Sequence, residues 1–278
     1  MEHVFPLFYS HLVPETVEVH KNMSYLRTTG VARLIAAGIS ENFVKTVSIN
    51  KQKEFYGTGL RVVFEAIGES ESIQSVSLSN NTLPNPSDYE NIFKGLTKNK
   101  SIKTLELSFM GEYDLFVQQL EKYLASTETL EILNLSNNYF SAEHYQLLYR
   151  ALRKNKSVKS LSFFNNNTNG NNTAISAAVR DLLLENTTIE MIYLDKCNLT
   201  NSNLEVICEG LLKNRSLTTL TLKKNKLDDG SIDTLKKISE GSSLRLIELE
   251  DNKFTQEGFS LLPKNFLLNH KFPGFGYN

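Results

Sequence analysis

A motif of alternating apolar residues returns about every 28 residues along this chain, and its periodicity constrains the fold more than any other feature. In the clearest copy, LTTLTLKKN from Leu217, leucines occupy the first, fourth and sixth positions and asparagine the ninth. Other copies begin at residues 44, 73, 102, 130, 158, 189 and 244, and a degenerate copy begins at Pro14. Self-similarity at such a period is typical of stacked structural units.

Each unit divides into a short strand and a helix. Apolar residues at the fourth and sixth positions, with polar residues between them, predict a strand with one buried face. About ten residues later the pattern becomes helical, as in residues 141–157 and 201–216. Ser141, Asn201 and Asp228 or Asp229 are predicted N-caps. A strand and a helix cannot bury a core alone, so the units must stack.

The ninth position of each unit carries a residue suited to a sharp turn after the strand. A buried turn leaves backbone groups without partners, and an amide side chain supplies two donors and an acceptor for them. The residues at this position are Asn22, Gln52, Asn81, Met110, Asn138, Asn166, Cys197, Asn225 and Asn252. Because parallel strands lie about 4.8 Å apart and helices need nearly twice that, the sheet should line a concave face.

The pattern L-x-x-L-x-L-x-x-(N/C)-x-L, followed by a helix, resembles leucine-rich repeats of the ribonuclease-inhibitor type. The resemblance implies an α/β fold, a right-handed horseshoe-shaped solenoid with a parallel β-sheet on the concave face and helices on the convex face. We predict an N-terminal cap with a degenerate first repeat at residues 1–43, eight repeats at 44–254, and a capping helix and tail at 255–278. The Asn- and Lys-rich composition, with connecting segments such as LTKNKS, also resembles that of leucine-rich-repeat effectors of intracellular bacteria such as Legionella.

The composition of the chain limits which partners it can bind and in which compartment it is expected to act. With 30 Lys and Arg against 31 Asp and Glu, the chain lacks the basic excess typical of nucleic-acid binders. It has no apolar run long enough to span a membrane, and because its first residues do not fit the pattern of a Sec signal peptide, we do not expect one. Two cysteines are too few for a disulfide framework, so we expect a cytoplasmic protein, in the host cytosol if it is a translocated effector.

No catalytic or cofactor motif is present in the sequence. The five histidines are scattered, and no phosphate-binding glycine loop occurs. Cys197 occupies the ninth position of its repeat and Cys208 the following helix, so both are interpreted as structural. We therefore expect no metal site, no cofactor and no enzyme activity.

The residues at positions three, five, seven and eight should project onto the concave face or beside it. In the first half of the chain they are small and polar, whereas the second half adds aromatic and charged residues. Aromatic residues surrounded by charge are typical of protein-binding hot spots; alternatively, each ring only covers a neighbouring strand. Leu246 is expected to add apolar area there. The predicted partner-binding residues are Glu106, Phe109, Phe164, Met191, Tyr193, Asp195, Lys223, Glu248 and Glu250.

Three functions are compatible with these features. The first is a monomeric, non-enzymatic module that binds a protein on its concave face, as an inhibitor or regulator of an enzyme or as a bacterial effector acting on a host protein or another effector. The second is an enzyme or ligand-binding protein with carboxylates from Glu106, Asp195, Glu248 and Glu250. The third is a purely architectural repeat segment. No nucleic acid or membrane is expected as a partner.

Overall fold

A computed structural model describes residues 15–19, 29–41, 43–50, 57–79, 83, 85–110, 114–166 and 172–263 of the chain. Strands and helices alternate along them. The strands are β1 Thr16–Val19, β2 Thr46–Ile49, β3 Ser75–Ser77, β4 Thr104–Glu106, β5 Ile132–Asn134, β6 Ser160–Ser162, β7 Met191–Tyr193, β8 Thr219–Thr221 and β9 Leu246–Glu248. The helices are α1 Thr29–Ser40, α2 Gly57–Glu69, α3 Pro86–Lys98, α4 Asp114–Ser126, α5 Ala142–Leu152, α6 Asn172–Glu185, α7 Asn201–Leu211, α8 Ile232–Gly241 and α9 Gln256–Ser260.

The nine strands form one open sheet in which every neighbouring pair is parallel and the spatial order equals the chain order. Pairing is in register with the repeat, so that equivalent positions face each other, as with Leu105 opposite Leu133 and Leu133 opposite Leu161. This arrangement confirms the predicted α/β leucine-rich-repeat solenoid. Since equivalent positions align, each position of the repeat becomes a row across the sheet.

The core lies between the sheet and the helices. Residues at the first, fourth and sixth positions are buried in all eight repeats from Val44 onward, with Leu217, Leu220 and Leu222 fully covered. Helix residues such as Leu148 and Leu204 close the core from the other side. The amphipathic patterns of strand and helix therefore meet in one continuous apolar cluster.

The ninth-position asparagines act as the sequence predicts. Asn138 donates from Nδ2 to the carbonyl oxygens of Leu107 (2.8 Å) and Leu135 (2.9 Å), and its Oδ1 accepts the Met110 N–H at 2.8 Å. Met110 itself fills this position without a polar side chain, and its backbone is held by the next repeat. Asn22, Gln52 and Asn81 of this row lie outside the described residues.

A second row of asparagines follows the helices and was not predicted. Asn155 donates to the carbonyl oxygens of Leu124 and Thr127 in the preceding repeat, and its Oδ1 accepts the N–H groups of Ser157 and Val158. The members of this row are Asn99, Asn155, Asn186 and Asn214, each buried. Each asparagine therefore provides hydrogen-bond partners both for carbonyl groups at the end of one helix and for N–H groups at the start of the next strand.

The helix starts confirm part of the predicted capping. Ser141 caps α5, since its hydroxyl oxygen accepts the His144 N–H. The prediction for Asn201 was wrong by one residue because Thr200 is the N-cap of α7. Asp228 caps the short 3-10 turn before α8. None of the helices in the described parts of the chain is long and apolar enough to cross a membrane.

Candidate protein-binding site

The first half of the sheet face is covered by small polar side chains that bond to one another. Asn50 Nδ2 donates to Ser48 Oγ (2.7 Å), and Asn50 Oδ1 accepts the Ser79 N–H (2.7 Å). Ser77 Oγ lies 3.1 Å from both Asn50 Oδ1 and Glu106 Oε2. The Glu106 carboxylate therefore belongs to a hydrogen-bonded polar network that extends over β2–β4.

The same kind of network continues over β5 and β6. The Ser136 N–H donates to Asn134 Oδ1 at 2.9 Å, and the hydroxyl oxygens of Ser136 and Ser162 lie 2.9 Å apart. Ser162 Oγ also accepts the Phe164 N–H at 3.3 Å. These side chains are buried although they lie on the outer face of the sheet. Their polar atoms are therefore largely engaged in hydrogen bonds within the protein.

Apolar side chains gather on the sheet face from β6 onward, beyond the half-buried Ile132 at the third position of β5. Met191 and Tyr193 are both half-buried on β7, and the Tyr193 hydroxyl lies 3.7 Å from Met191 Sδ. Burial raises the pKa of Tyr193 above its usual range. Phe164 follows β6 and is also half-buried, with the Lys196 ammonium 5.2 Å from its ring centroid. Together these side chains present apolar area flanked by a cation.

Three charged residues form an ion-paired group beside this apolar area. Lys223 Nζ lies 2.8 Å from Glu248 Oε2 and 3.1 Å from Glu250 Oε2. Burial tends to lower the pKa of Lys223, but its hydrogen bonds to Glu248 and Glu250 outweigh this effect and the pKa is raised. The two glutamates therefore converge on one lysine, which partly neutralises them.

Asp195 lies under this group and is 7% exposed. Its Oδ1 accepts the Lys223 backbone N–H at 2.7 Å, which ties the turn after β7 to the turn after β8. Burial raises the pKa of Asp195 to about 6, although the Thr221 side chain and the Lys223 N–H both act to lower it. Asp195 thus has a structural hydrogen bond in addition to the binding role predicted for it.

The predicted site residues fall into two groups in space. Met191, Tyr193, Asp195, Lys223, Glu248, Glu250 and the neighbouring Phe164 lie on β7–β9 and on the turns that follow β6–β9; we call them the sheet-face cluster. Glu106 and Phe109 belong to the β4 repeat, three strand steps or about 14 Å from Tyr193. Leu246 is buried, so the apolar area expected from it is absent. That these residues bind a partner stays a prediction.

Phe109 has a backbone conformation that aromatic residues rarely adopt. Its φ is +56°, in the left-handed region, and its side chain is 47% exposed. Other eighth-position residues have the same conformation, namely Asn137, Asn165, Lys196, Lys224 and Asp251. Asn and Asp tolerate this conformation, whereas a phenylalanine is strained there. The turns after β4–β9 therefore share one backbone conformation at this position, regardless of the residue.

The cysteines are structural, as interpreted from the sequence. Cys197 Sγ lies 3.1 Å from the Phe163 carbonyl oxygen, and burial raises the pKa of this thiol to about 12. Cys208 is also buried, which raises its pKa. Within the described ranges, no group of three or more His, Cys, Asp or Glu side chains is arranged to hold a metal ion.

Comparison with known proteins places this architecture among leucine-rich-repeat proteins. No family model matches the chain. Ribonuclease inhibitor from Sus scrofa is 26% identical over 228 residues, which are 81% of this chain and 49% of that protein. NACHT, LRR and PYD domains-containing protein 14 from Mus musculus is 29% identical over 147 residues, which are 51% of this chain and 14% of that protein. The chain thus matches about half or less of the length of these relatives.

A solved structure of a protein from Bacteroides fragilis has a similar fold. Its TM-score is 0.52 at 12% sequence identity, and the alignment covers 86% of this chain and 75% of that one. At this level of identity the likeness concerns the fold alone. It agrees with the open parallel sheet and the alternating helices described above.

Proposed function

Because the chain is a leucine-rich-repeat protein, we propose that it is a non-enzymatic module that binds a protein partner on the concave sheet face. The contact is made by the sheet-face cluster on the last repeats. The partner is an enzyme that is inhibited or regulated by the contact, and the protein acts in the cytosol as a monomer before it forms the complex. The similarity to ribonuclease inhibitors supports the choice of an enzyme as the partner.

The observation that carries this proposal is the contrast within one sheet. Small polar side chains that bond to one another predominate on β2–β5, where Ile132 is the half-buried apolar exception, while Phe164, Met191 and Tyr193 come together as half-buried side chains with accessible apolar area. Lys223, Glu248 and Glu250 border that area. Apolar anchors surrounded by charged residues are the usual arrangement of a binding hot spot.

A finer assignment follows from the resemblance to leucine-rich-repeat effectors. If the protein is translocated by an intracellular bacterium, its partner is a host protein or another effector, and it acts in the host cytosol. The LTKNKS-type links motivate this assignment. Identification of the captured partner tests it directly.

An enzyme assembled across the repeats is the second hypothesis and has weaker support. It requires two carboxylates that converge in a closed, apolar-lined pocket, with their charge available for acid–base chemistry. Glu248 and Glu250 instead converge on Lys223 at the face of the sheet, and Asp195 accepts a backbone hydrogen bond. The arrangement favours recognition over proton transfer.

The test is affinity capture from the native cellular context followed by mass spectrometry. The triple variant Phe164→Ala/Tyr193→Ala/Asp195→Ala should reduce recovery of the specific partner, with an affinity loss of at least about 100-fold, since hot-spot truncations cost about 2 kcal/mol or more each. Unchanged recovery by this variant would exclude the site.

The matched control changes three positions on the first half of the same face. The variant Thr46→Ala/Ser75→Ala/Thr104→Ala truncates small, half-buried side chains at the third position of the repeat on β2, β3 and β4. We expect it to retain the partner within about threefold. Circular dichroism should show that both variants stay folded. If the triple variant unfolds, Tyr193→Ala alone serves as a milder probe of the same site.

A further inference from the structure

The eighth-position residues form a continuous row at the carboxyl edge of the sheet, beside the sheet-face cluster. Hydrogen bonding continues through these turns: the Asn137 N–H donates to the Phe164 carbonyl oxygen at 2.8 Å and the Lys196 N–H to that of Lys223 at 2.9 Å. The Asn165 side chain donates to Asn137 Oδ1 at 2.7 Å. Because every described member has the same left-handed conformation, their side chains leave the same edge.

We use the name rim for five exposed side chains on this edge. Phe109, Lys196 and Lys224 are eighth-position residues, while Tyr139 and Lys226 lie two residues further along the turns after β5 and β8. Phe109 is 47% exposed and Tyr139 is 53% exposed. The rim therefore has an aromatic end at the turns after β4 and β5 and a basic end at the turns after β7 and β8.

The lysines of the rim are weakly compensated. Lys224 lies 3.9 Å from Asp251, and both side chains are more than half exposed, so this pair contributes little. Lys196 interacts with the Phe164 ring rather than with a carboxylate. Other acids near this end are engaged within the protein: Asp228 accepts hydrogen bonds from Asn201 and Gly230, Asp229 accepts two from Thr255, and Glu250 pairs with Lys223. The basic end therefore keeps positive charge available at the surface.

Phe109 adds an independent reason to assign a binding role to the rim. Asparagine would fit its backbone conformation with less strain, as it does at Asn137 and Asn165 in the next two repeats. Among the described residues, the Phe109 ring belongs to none of the aromatic pairs or cation–π contacts that could offset this strain. Strain at such a position is typical of residues that contact a partner.

We propose that the rim docks an acidic segment of a protein partner, with apolar side chains at one end of the segment and carboxylates at the other. The four strand steps from β4 to β8 span about 19 Å, which corresponds to about six residues of extended chain. Phe109 and Tyr139 bind the apolar end, and the rim lysines bind the carboxylates. This surface goes beyond the proposed function, since none of the five rim residues belongs to the sheet-face cluster; the two surfaces meet where Lys196 contacts the Phe164 ring.

The test uses a fluorescein-labelled eight-residue peptide with phenylalanine and leucine at one end, three glutamates at the other, and serines between them, made in both chain directions. Fluorescence anisotropy measures its binding to the full chain at low and physiological salt. We expect binding by one direction that weakens as salt increases, because the contact includes charge pairs. Peptides with lysines in place of the glutamates, or serines in place of the apolar residues, should bind at least about tenfold more weakly.

Variants of the rim identify the surface. Lys196→Glu/Lys224→Glu and Phe109→Ser/Tyr139→Ser should each weaken peptide binding by at least about tenfold. Lys213→Glu/Lys237→Glu makes the same change of charge at exposed positions outside the rim, on the helical side, and should leave binding unchanged. The proposal is overturned if the acidic peptide does not bind, if both rim variants behave like the control, or if a ten-nucleotide single-stranded RNA binds more tightly than the peptide.

A failure of the rim proposal can be distinguished from a failure of the proposed function, because the two surfaces are tested by different variants. The sheet-face variant Tyr193→Ala, which keeps the contact between Lys196 and the Phe164 ring, should bind the acidic peptide nearly as well as the wild type, since it changes none of the rim residues. Loss of partner capture together with retained peptide binding would support both proposals. Retained capture by that variant with loss of peptide binding by the rim variants would leave the rim as the binding surface.

Discussion

The two halves of the sheet face share one backbone and differ in their side chains. On β2–β5, Ser48, Asn50 and Ser77 bond to one another and to Glu106, and little of their polarity is left for a partner. On β7–β9, Tyr193 and Met191 are half-buried beside the ion-paired Lys223. The register of the sheet is the same in both regions.

The comparison shows that the fold and the surface are encoded by different positions of the repeat. The first, fourth, sixth and ninth positions are occupied by similar residues in both halves because the core and the turns require them. The third, fifth and seventh positions face outward, so they can change without affecting the core. Recognition can therefore differ between halves while the scaffold remains constant.

The largest expected loss of stability comes from the ninth-position asparagines, and measuring it in both halves tests whether the two halves share one scaffold. Asn138→Ala and Asn225→Ala should each lower the free energy of unfolding by about 4 kcal/mol, because each leaves three or four buried backbone groups without a partner. Urea denaturation followed by circular dichroism measures both. Effects that differ by more than about twofold would contradict a shared scaffold.

The second effect concerns Asp195, a carboxyl group that is buried on the later half of the sheet face. Because the folded-state pKa of Asp195 is about 6 against an ordinary value of 3.8, folding favours its protonated form, and stability is lost as the pH rises through the folded pKa. Asp195→Asn removes this dependence. Relative to the wild type, the variant should gain at most about 3 kcal/mol between about pH 4 and pH 7.

Glu106→Gln provides the matched loss of one negative charge on the earlier half of the face. Measuring the free energy of unfolding of all three proteins across this pH range separates a local effect from one of net charge. An equal pH-dependent gain in both variants would show that the burial of Asp195 is not the cause.

A smaller effect is expected from the ion-paired group. Lys223→Met leaves Glu248 and Glu250 facing each other without a cation and should lower the free energy of unfolding by about 1 kcal/mol, since the lysine is about a third exposed. Lys224→Met, which removes a more exposed lysine 3.9 Å from Asp251, should cost less than about 0.5 kcal/mol. Equal losses at low and high salt would argue against an electrostatic origin.

The smallest effect has the opposite sign and concerns the strained turn after β4. Phe109→Asn should raise the free energy of unfolding by about 0.5–1 kcal/mol, because asparagine tolerates the left-handed conformation. The reverse change at the equivalent position, Asn137→Phe, should lower it by a similar amount. Thermal unfolding compares the two, and a loss of stability in Phe109→Asn would show that the ring stabilises the fold.

The sequence predicted the features that repeat. A buried apolar pattern of fixed spacing specifies both the strand and the burial of Leu217, Leu220 and Leu222, because the same environment recurs in each unit. The ninth-position asparagine was predictable for the same reason. Its hydrogen bonds depend on a turn that recurs with every strand.

The features that depend on a particular neighbour were not predicted. The role of Asn155 was not predicted, because its partners are carbonyl groups of the preceding repeat. The burial of Leu246 and Asp195 likewise depends on the side chains of adjacent strands. The left-handed row that includes Lys196 left only a weak signal, namely recurrent Asn, Lys and Asp at the eighth position.

The two asparagine rows also give the solenoid a direction. Asn138 donates to a carbonyl group of the repeat before it and accepts an N–H from that repeat, and Asn99 and Asn214 donate to earlier repeats in the same way. Each repeat is thus completed by its successor. Removing repeats from either side breaks backbone hydrogen bonds between neighbouring strands, but removal from the C-terminal side also takes away the asparagine side chains that bond the turns of the repeat before them. An array shortened from its beginning should therefore tolerate the change better than one shortened from its end.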